Sequence, residues 1–167
     1  MYKQTSIIKA IKEIDEPADR FMISVKKILM PIDRSEYEKK IVDYALSLSK
    51  AWDAEITAIH VIDMGRGVGY GNHTEIKGER IEEEKRHGEN LLSEIAVMAK
   101  KEGTNIEKEV LEKNDTIGKT IVEYARKNKI DVIVIGTKGM TAVEEYFFRS
   151  VVKDVFQYAH CPVFAIR

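Results

Sequence analysis

The sequence predicts a three-layer α/β fold, a doubly wound five-stranded parallel sheet with helices on both faces. Two observations carry this. Short apolar runs rich in β-branched residues alternate strictly with longer stretches of helical period, and two of the runs, 28–32 and 131–135, are continuously apolar but for Asp131 at the start of the second. Helix-length crossovers imply parallel neighbours, because tight turns join only antiparallel strands. Continuously apolar strands belong at the centre of the sheet, where both sides are covered.

Each element has its own signal. KKILMPID (26–33) reads as a buried strand that stops at Pro31. SEYEKKIVDYALSLSKAW (35–52) reads as a helix, with Ile41, Ala45, Leu48 and Trp52 at spacings of four, three and four. Ser35 and Glu38 fit a capping box, in which hydroxyl and carboxylate each satisfy an orphan backbone donor. EITAIHVID (55–63) is a second strand. Residues 64–90 are mostly glycine and charge, and lead into a helix with Leu91, Leu92, Ile95, Met98 and Ala99 on one side. NIEKEVLEK (105–113) alternates Ile106, Lys108, Val110 and Glu112, the pattern of a less buried edge strand. Asn114, Asp115 and Thr116 offer caps for a helix that carries Ile117, Ile121 and Ala125 inward. DVIVIG (131–136) is the most apolar strand, and a last helix near 150–159 precedes PVFAIR.

Composition narrows the function classes. The chain of 167 residues has length for one domain with a good core. A charged fraction of 33% and a formal net charge of −1 give no basic excess that would call for nucleic acid. No apolar run approaches the length needed to span a bilayer, and the first residues lack a signal-peptide core, so no membrane role and a cytoplasmic location are expected. Cys161 is the only cysteine, which excludes an internal disulfide and a CxxC site. It reads as a packing residue. We divide the chain into an N-terminal extension, 1–22, and one domain, 23–167. Ile7, Ile8, Ile11 and Ile14 give the extension a weak amphipathic helix that Pro17 would end; alternatively Met22 is the natural start.

Chemistry concentrates in two turns. In doubly wound sheets ligands sit beyond the carboxyl ends of the strands, where adjacent crossovers diverge. MPIDRS places Asp33 just after strand one, and IGTKGMTAVEEYFFRSV (135–151) follows strand four. Gly136 and Gly139 allow backbone N–H groups to approach an anion. Ser150 lies at the start of the last helix, where unpaired N–H groups and the helix dipole favour negative charge. Val143, Phe147 and Phe148 would hold the loop to the body, and Lys138 stands where it could neutralise a phosphate. No P-loop pattern occurs, and GRGVGYG (65–71), with glycine at every second position, lacks the dinucleotide spacing and reads as a flexible loop. His60 reads as a structural histidine, while His73, His87 and His160 show no metal-ligand spacing. ERIEEEKRHGE (79–89) reads as a solvated helix face with pairs such as Glu82–Arg86.

Residues 25–167 resemble the universal stress protein family. KKILMPIDRSE is similar to its first strand and Pro-x-Asp turn, ITAIHVID to its second strand, DTIGKTIVEYARKNKIDVIVIGTKG to its third helix, fourth strand and glycine turn, and SVVKDVFQYAHCPVFAIR to its closing segment. The resemblance implies the adenine nucleotide alpha hydrolase-like sheet of order 3-2-1-4-5, with strands one and four side by side. Members that bind ATP carry G-x2-G-x9-G-[ST]. Gly136, Gly139 and Ser150 match it, and Arg149 stands at the third glycine. By the same resemblance Pro31, Ile32 and Asp33 meet adenine and ribose, Val61 lines the adenine pocket, and Ile135 and Val151 complete the walls. Mg²⁺ or Mn²⁺ would arrive only with the nucleotide.

Arg149 divides the functional readings. A side chain there adds bulk near the phosphates, and left-handed geometry would cost it of order 1–2 kcal/mol. An outward-turned guanidinium would instead add a cation to the triphosphate. Survival of Asp33 and three motif positions favours a nucleotide-responsive module that presents a surface to a partner protein. The alternative is an interaction module of the same fold whose phosphate site Arg149 closes. An ATP-cleaving enzyme is disfavoured, because related sheets that cut ATP between its α- and β-phosphates carry a Ser-Gly-Gly-x-Asp-Ser loop that PIDRSEY lacks. A phospho-receiver would need paired acids at strand one, where Asp33 stands alone. An apolar edge strand invites association, and the resemblance implies a homodimer paired antiparallel through Val163 to Ile166.

Overall fold

A computed structural model describes residues 24–33, 38–63, 74–113, 115–137 and 151–167, with the backbone alone at 74–77 and 79. The elements are β1 (Lys27–Pro31), α1 (Glu38–Trp52), β2 (Glu55–Ile62), α2 (Thr74–Lys101), β3 (Ile106–Glu112), α3 (Ile117–Lys127), β4 (Val132–Gly136), α4 (helical residues 151–158) and β5 (Val163–Ile166). Every pairing is parallel, and the sheet order is β3-β2-β1-β4-β5. The expected architecture and strand order are therefore those observed.

Side-chain alternation along the central strands builds two cores. Ile28, Met30 and Ile32 of the β1 segment join Ile56 and Ala58 of β2 and Val132 and Val134 of β4 beneath α1 and α2. Leu29, Ile59, Ile133 and Ile135 point to the other side, where α3 supplies Ile121, Val122 and Ala125 and α4 supplies Val151 and Val155. This is why β1 after Lys27 and the whole of β4 are apolar: successive residues feed opposite cores. β3 is an edge strand with four exposed residues in seven, as its mixed sequence predicts.

Three expectations need correction. α2 begins at Thr74, well before Leu91. Its first half carries no apolar stripe because little lies under it; among residues 78–90 with described side chains, Gly88 alone is buried. Within that stretch Glu82 faces Lys85 at 4.0 Å, and Lys85 also reaches Glu112 of β3 at 2.7 Å, in place of the Glu82–Arg86 pairing. In α1 the buried set is Ile41, Val42, Ala45, Leu46 and Ser49; Leu48 and Trp52 sit at the margin, and Trp52 meets Phe164 of β5 edge to face at 6.0 Å. Of the three offered caps, Thr116 is the one used: its hydroxyl accepts the Lys119 N–H at 3.1 Å. The extension, Ser35, the 65–71 loop and Asn114 lie outside the described residues.

Candidate functional site at the parting of β1 and β4

β1 and β4 pair only at Ile28↔Val132 and Leu29↔Ile133. Beyond that point each strand turns to its outer neighbour. The Ile32 N–H donates to Ile59 O of β2 at 2.8 Å, and the Ile32 carbonyl is met by the His60 ring at 2.8 Å. On the other side, the Thr137 N–H and hydroxyl both donate to Ile166 O of β5, at 2.9 and 3.2 Å. A seam therefore opens between the carboxyl ends of the two central strands. Here also the crossovers diverge, α1 packing on one face and α4 on the other. Such a switch point is where this sheet type receives ligands.

The seam gathers most of the expected site. Pro31 and Ile32 are buried on one bank, with half-buried Asp33 at its end. Gly136 closes β4 on the opposite bank and is buried. Val61, Ile135 and Val151 belong to one apolar cluster on the α3–α4 face. Ile32 does not share that wall; at 4% exposure it packs into the opposite core, beneath α1 and α2. Lys138, Gly139, Val143, Phe147, Phe148, Arg149 and Ser150 lie outside the described residues.

The first described turn of α4 is held against the start of α3. Thr116 Oγ1 donates to Asp154 Oδ2 at 2.6 Å. A Cβ on Gly118 would stand 2.5 Å from Asp154 Cβ and 2.8 Å from the Val151 carbonyl. Only a glycine permits that approach. Toward the β3 edge of the sheet, Lys113 after β3 is paired with Asp63 after β2 at 2.5 Å. The Glu112 hydrogen bond, then its charge, raises the Lys85 pKa above its ordinary value.

Cys161 is half-buried, and burial followed by the nearby Asp131 charge pushes its thiol pKa up. That favours the unreactive thiol over the thiolate. Among the described residues no group of three His, Cys, Asp or Glu side chains is placed to hold a metal. His60 has a structural partner, as expected. What sequence reading missed was long-range: the Thr116–Asp154 and Asp63–Lys113 contacts carry no local signal, and the His60 partner becomes readable only once the β1–β2 register is known.

Residues 24–167 match the profile of the universal stress protein family. The chain belongs to that family. A universal stress protein of Methanocaldococcus jannaschii is 36% identical over 144 residues, covering 85% of this chain and 82% of the relative. Among solved structures, universal stress protein UspA from Lactobacillus plantarum superposes with a TM-score of 0.73 at 23% identity, covering 87% of this chain and all of that one (100%). A universal stress protein from Archaeoglobus fulgidus in complex with dAMP gives a TM-score of 0.59 at 20% identity, over 87% and 100% of the two chains. These identities speak for a shared fold. No described helix is long and apolar enough to cross a membrane.

Proposed function

We propose that this universal stress protein is a dimeric adenine-nucleotide-binding module of stress response or signalling, working in the cytoplasm, with ATP in the β1–β4 seam. The observation that carries the reading is the seam itself. It presents Asp33 on one bank, Gly136 on the other, and Val61, Ile135 and Val151 as an apolar wall of the kind that accepts a base. That a family member of the same fold has been solved with dAMP supports an adenine ligand. In this reading Pro31, Ile32 and Asp33 meet base and ribose, while Gly139, Arg149 and Ser150 meet the phosphates. Mg²⁺ or Mn²⁺ accompanies the nucleotide. Turnover is at most slow, since no ATP-cleaving loop follows β1, and the bound state is read by a partner protein.

The dimer forms through β5. It is the edge of the sheet, its outer side paired with no other described strand, and Phe164 is 39% exposed there. Phe156 and Tyr158 of α4 are also exposed. Pairing of Val163 to Ile166 with a second copy would cover the edge. A concentration-independent monomer in light scattering overturns this part.

Arg149 favours a second reading, an interaction module whose phosphate site is shut. Calorimetry with ATP and Mg²⁺ on the wild type and on Arg149→Gly separates the two. Binding by the wild type upholds the nucleotide module. A silent wild type beside a binding variant assigns closure to the arginine, and silence in both sinks the nucleotide reading.

A further inference from the structure

We propose that His60 is the positioning residue of the Asp33 turn, and that Gly88 of α2 is the notch that allows it to be. The inference rests on the nucleotide reading above and deepens it. Pro31 pairs with Ile59 across the β1–β2 ladder, which brings His60 opposite Ile32. Nδ1 of His60 lies 2.8 Å from the Ile32 carbonyl oxygen. A carbonyl oxygen only accepts, so Nδ1 carries the proton and donates. That carbonyl belongs to the planar peptide unit joining Ile32 to Asp33, so holding its oxygen also sets the direction of the Asp33 N–H. The Ile32 N–H is held by Ile59 O at 2.8 Å. Both polar groups of Ile32 are thus tied to β2 where β1 has left β4.

The imidazole in turn is boxed in. A Cβ on Gly88 would stand 2.8 Å from His60 Cδ2 and 3.1 Å from Val110 Cγ2 of β3. Real side chains do not approach so closely, so any residue larger than glycine drives the ring away. Glycine inside a helix is unfavourable relative to alanine, and this one is buried. The contact gives α2 a direct mechanical connection to the Asp33 turn through one side chain.

Two measurements test this. In uniformly ¹⁵N-labelled wild type, two-bond ¹⁵N–¹H correlation of the histidine rings should show His60 protonated at Nδ1; an unprotonated Nδ1 overturns the proposal. In Gly88→Ala and His60→Leu the Asp33 amide resonance of the nucleotide-free protein should move. Calorimetry with ATP and Mg²⁺ should show each variant weakened about tenfold, the equivalent of one hydrogen bond. The double variant should lose less than the sum of the two single losses, because the tightest contact of the added methyl group, His60 Cδ2, is gone. An unmoved Asp33 resonance, or additive losses, overturns the proposal. If the wild type binds no ATP, the nucleotide reading fails, while the ring tautomer and the Asp33 resonance still decide the role of His60. Should Gly88→Ala fail to fold, the wild-type tautomer and His60→Leu remain decisive.

Discussion

The two ends of the β1–β4 pair are built in opposite ways. At the amino end Asp131 seals the joint: one carboxylate oxygen accepts the Lys26 and Lys27 N–H groups at 2.8 and 2.9 Å, and its own N–H donates to Lys27 O at 3.0 Å. At the carboxyl end the strands stop pairing after Leu29 and Ile133, and their hydrogen bonds go outward to β2 and β5. One side chain fastens the register of the whole pair, and that fastening lets the other end stay open without the strands slipping. Stability and access are thus assigned to different ends of the same two strands.

The sharpest way to break this division is at its midpoint. Ile133 is fully buried and pairs with Leu29; Ile133→Ala should lose about 2–5 kcal/mol of unfolding free energy in urea titration. A loss below about 1 kcal/mol would deny the pair its central role. Next, Asp131→Ala removes an anionic acceptor shared by two amides and should cost about 2 kcal/mol, with Asp131→Asn recovering part of it through the retained carbonyl oxygen. Equal losses in both variants would mean that charge, not hydrogen bonding, makes the seal. A smaller effect concerns Cys161 at the same end. Its raised pKa leaves less thiolate at pH 8 than an ordinary cysteine, so alkylation should be slow. Asp131→Asn should speed it only modestly, because burial is the larger cause. Smallest of all, the Lys26–Asp53 pair spans 4.0 Å between exposed side chains at that edge, and Lys26→Ala should change stability by less than about 0.5 kcal/mol.

The sealed and open ends differed in how far the sequence revealed them. Strand count and the central places of β1 and β4 followed from their continuous apolar character. The open end was expected to receive a ligand because Asp33 follows β1 and Gly136 ends β4. The seal was invisible: Asp131 acts on backbone groups 104 and 105 residues away, and nothing near it in sequence marks the partner. The early start of α2 was obscured because helical period is read from buried residues, and among residues 78–90 with described side chains Gly88 alone is buried. From sequence, Gly78 reads as part of a loop and Gly88 as part of a solvated helix face. The first is exposed with open space around it, and the second is kept small by the His60 ring.

The length of α2 has a consequence for how the molecule is approached. Twenty-eight residues give a rod of roughly 42 Å, whereas the seven residues of β3 extend about 23 Å. Since Lys85 already touches Glu112, the last residue of β3, the turns before it overhang the sheet by roughly 16 Å. That cantilever is kept helical by its own main-chain ladder and moored at its base by the Lys85 ion pair. A visitor arriving over the β3 edge meets a hydrophilic spar well before it meets the floor of the crevice.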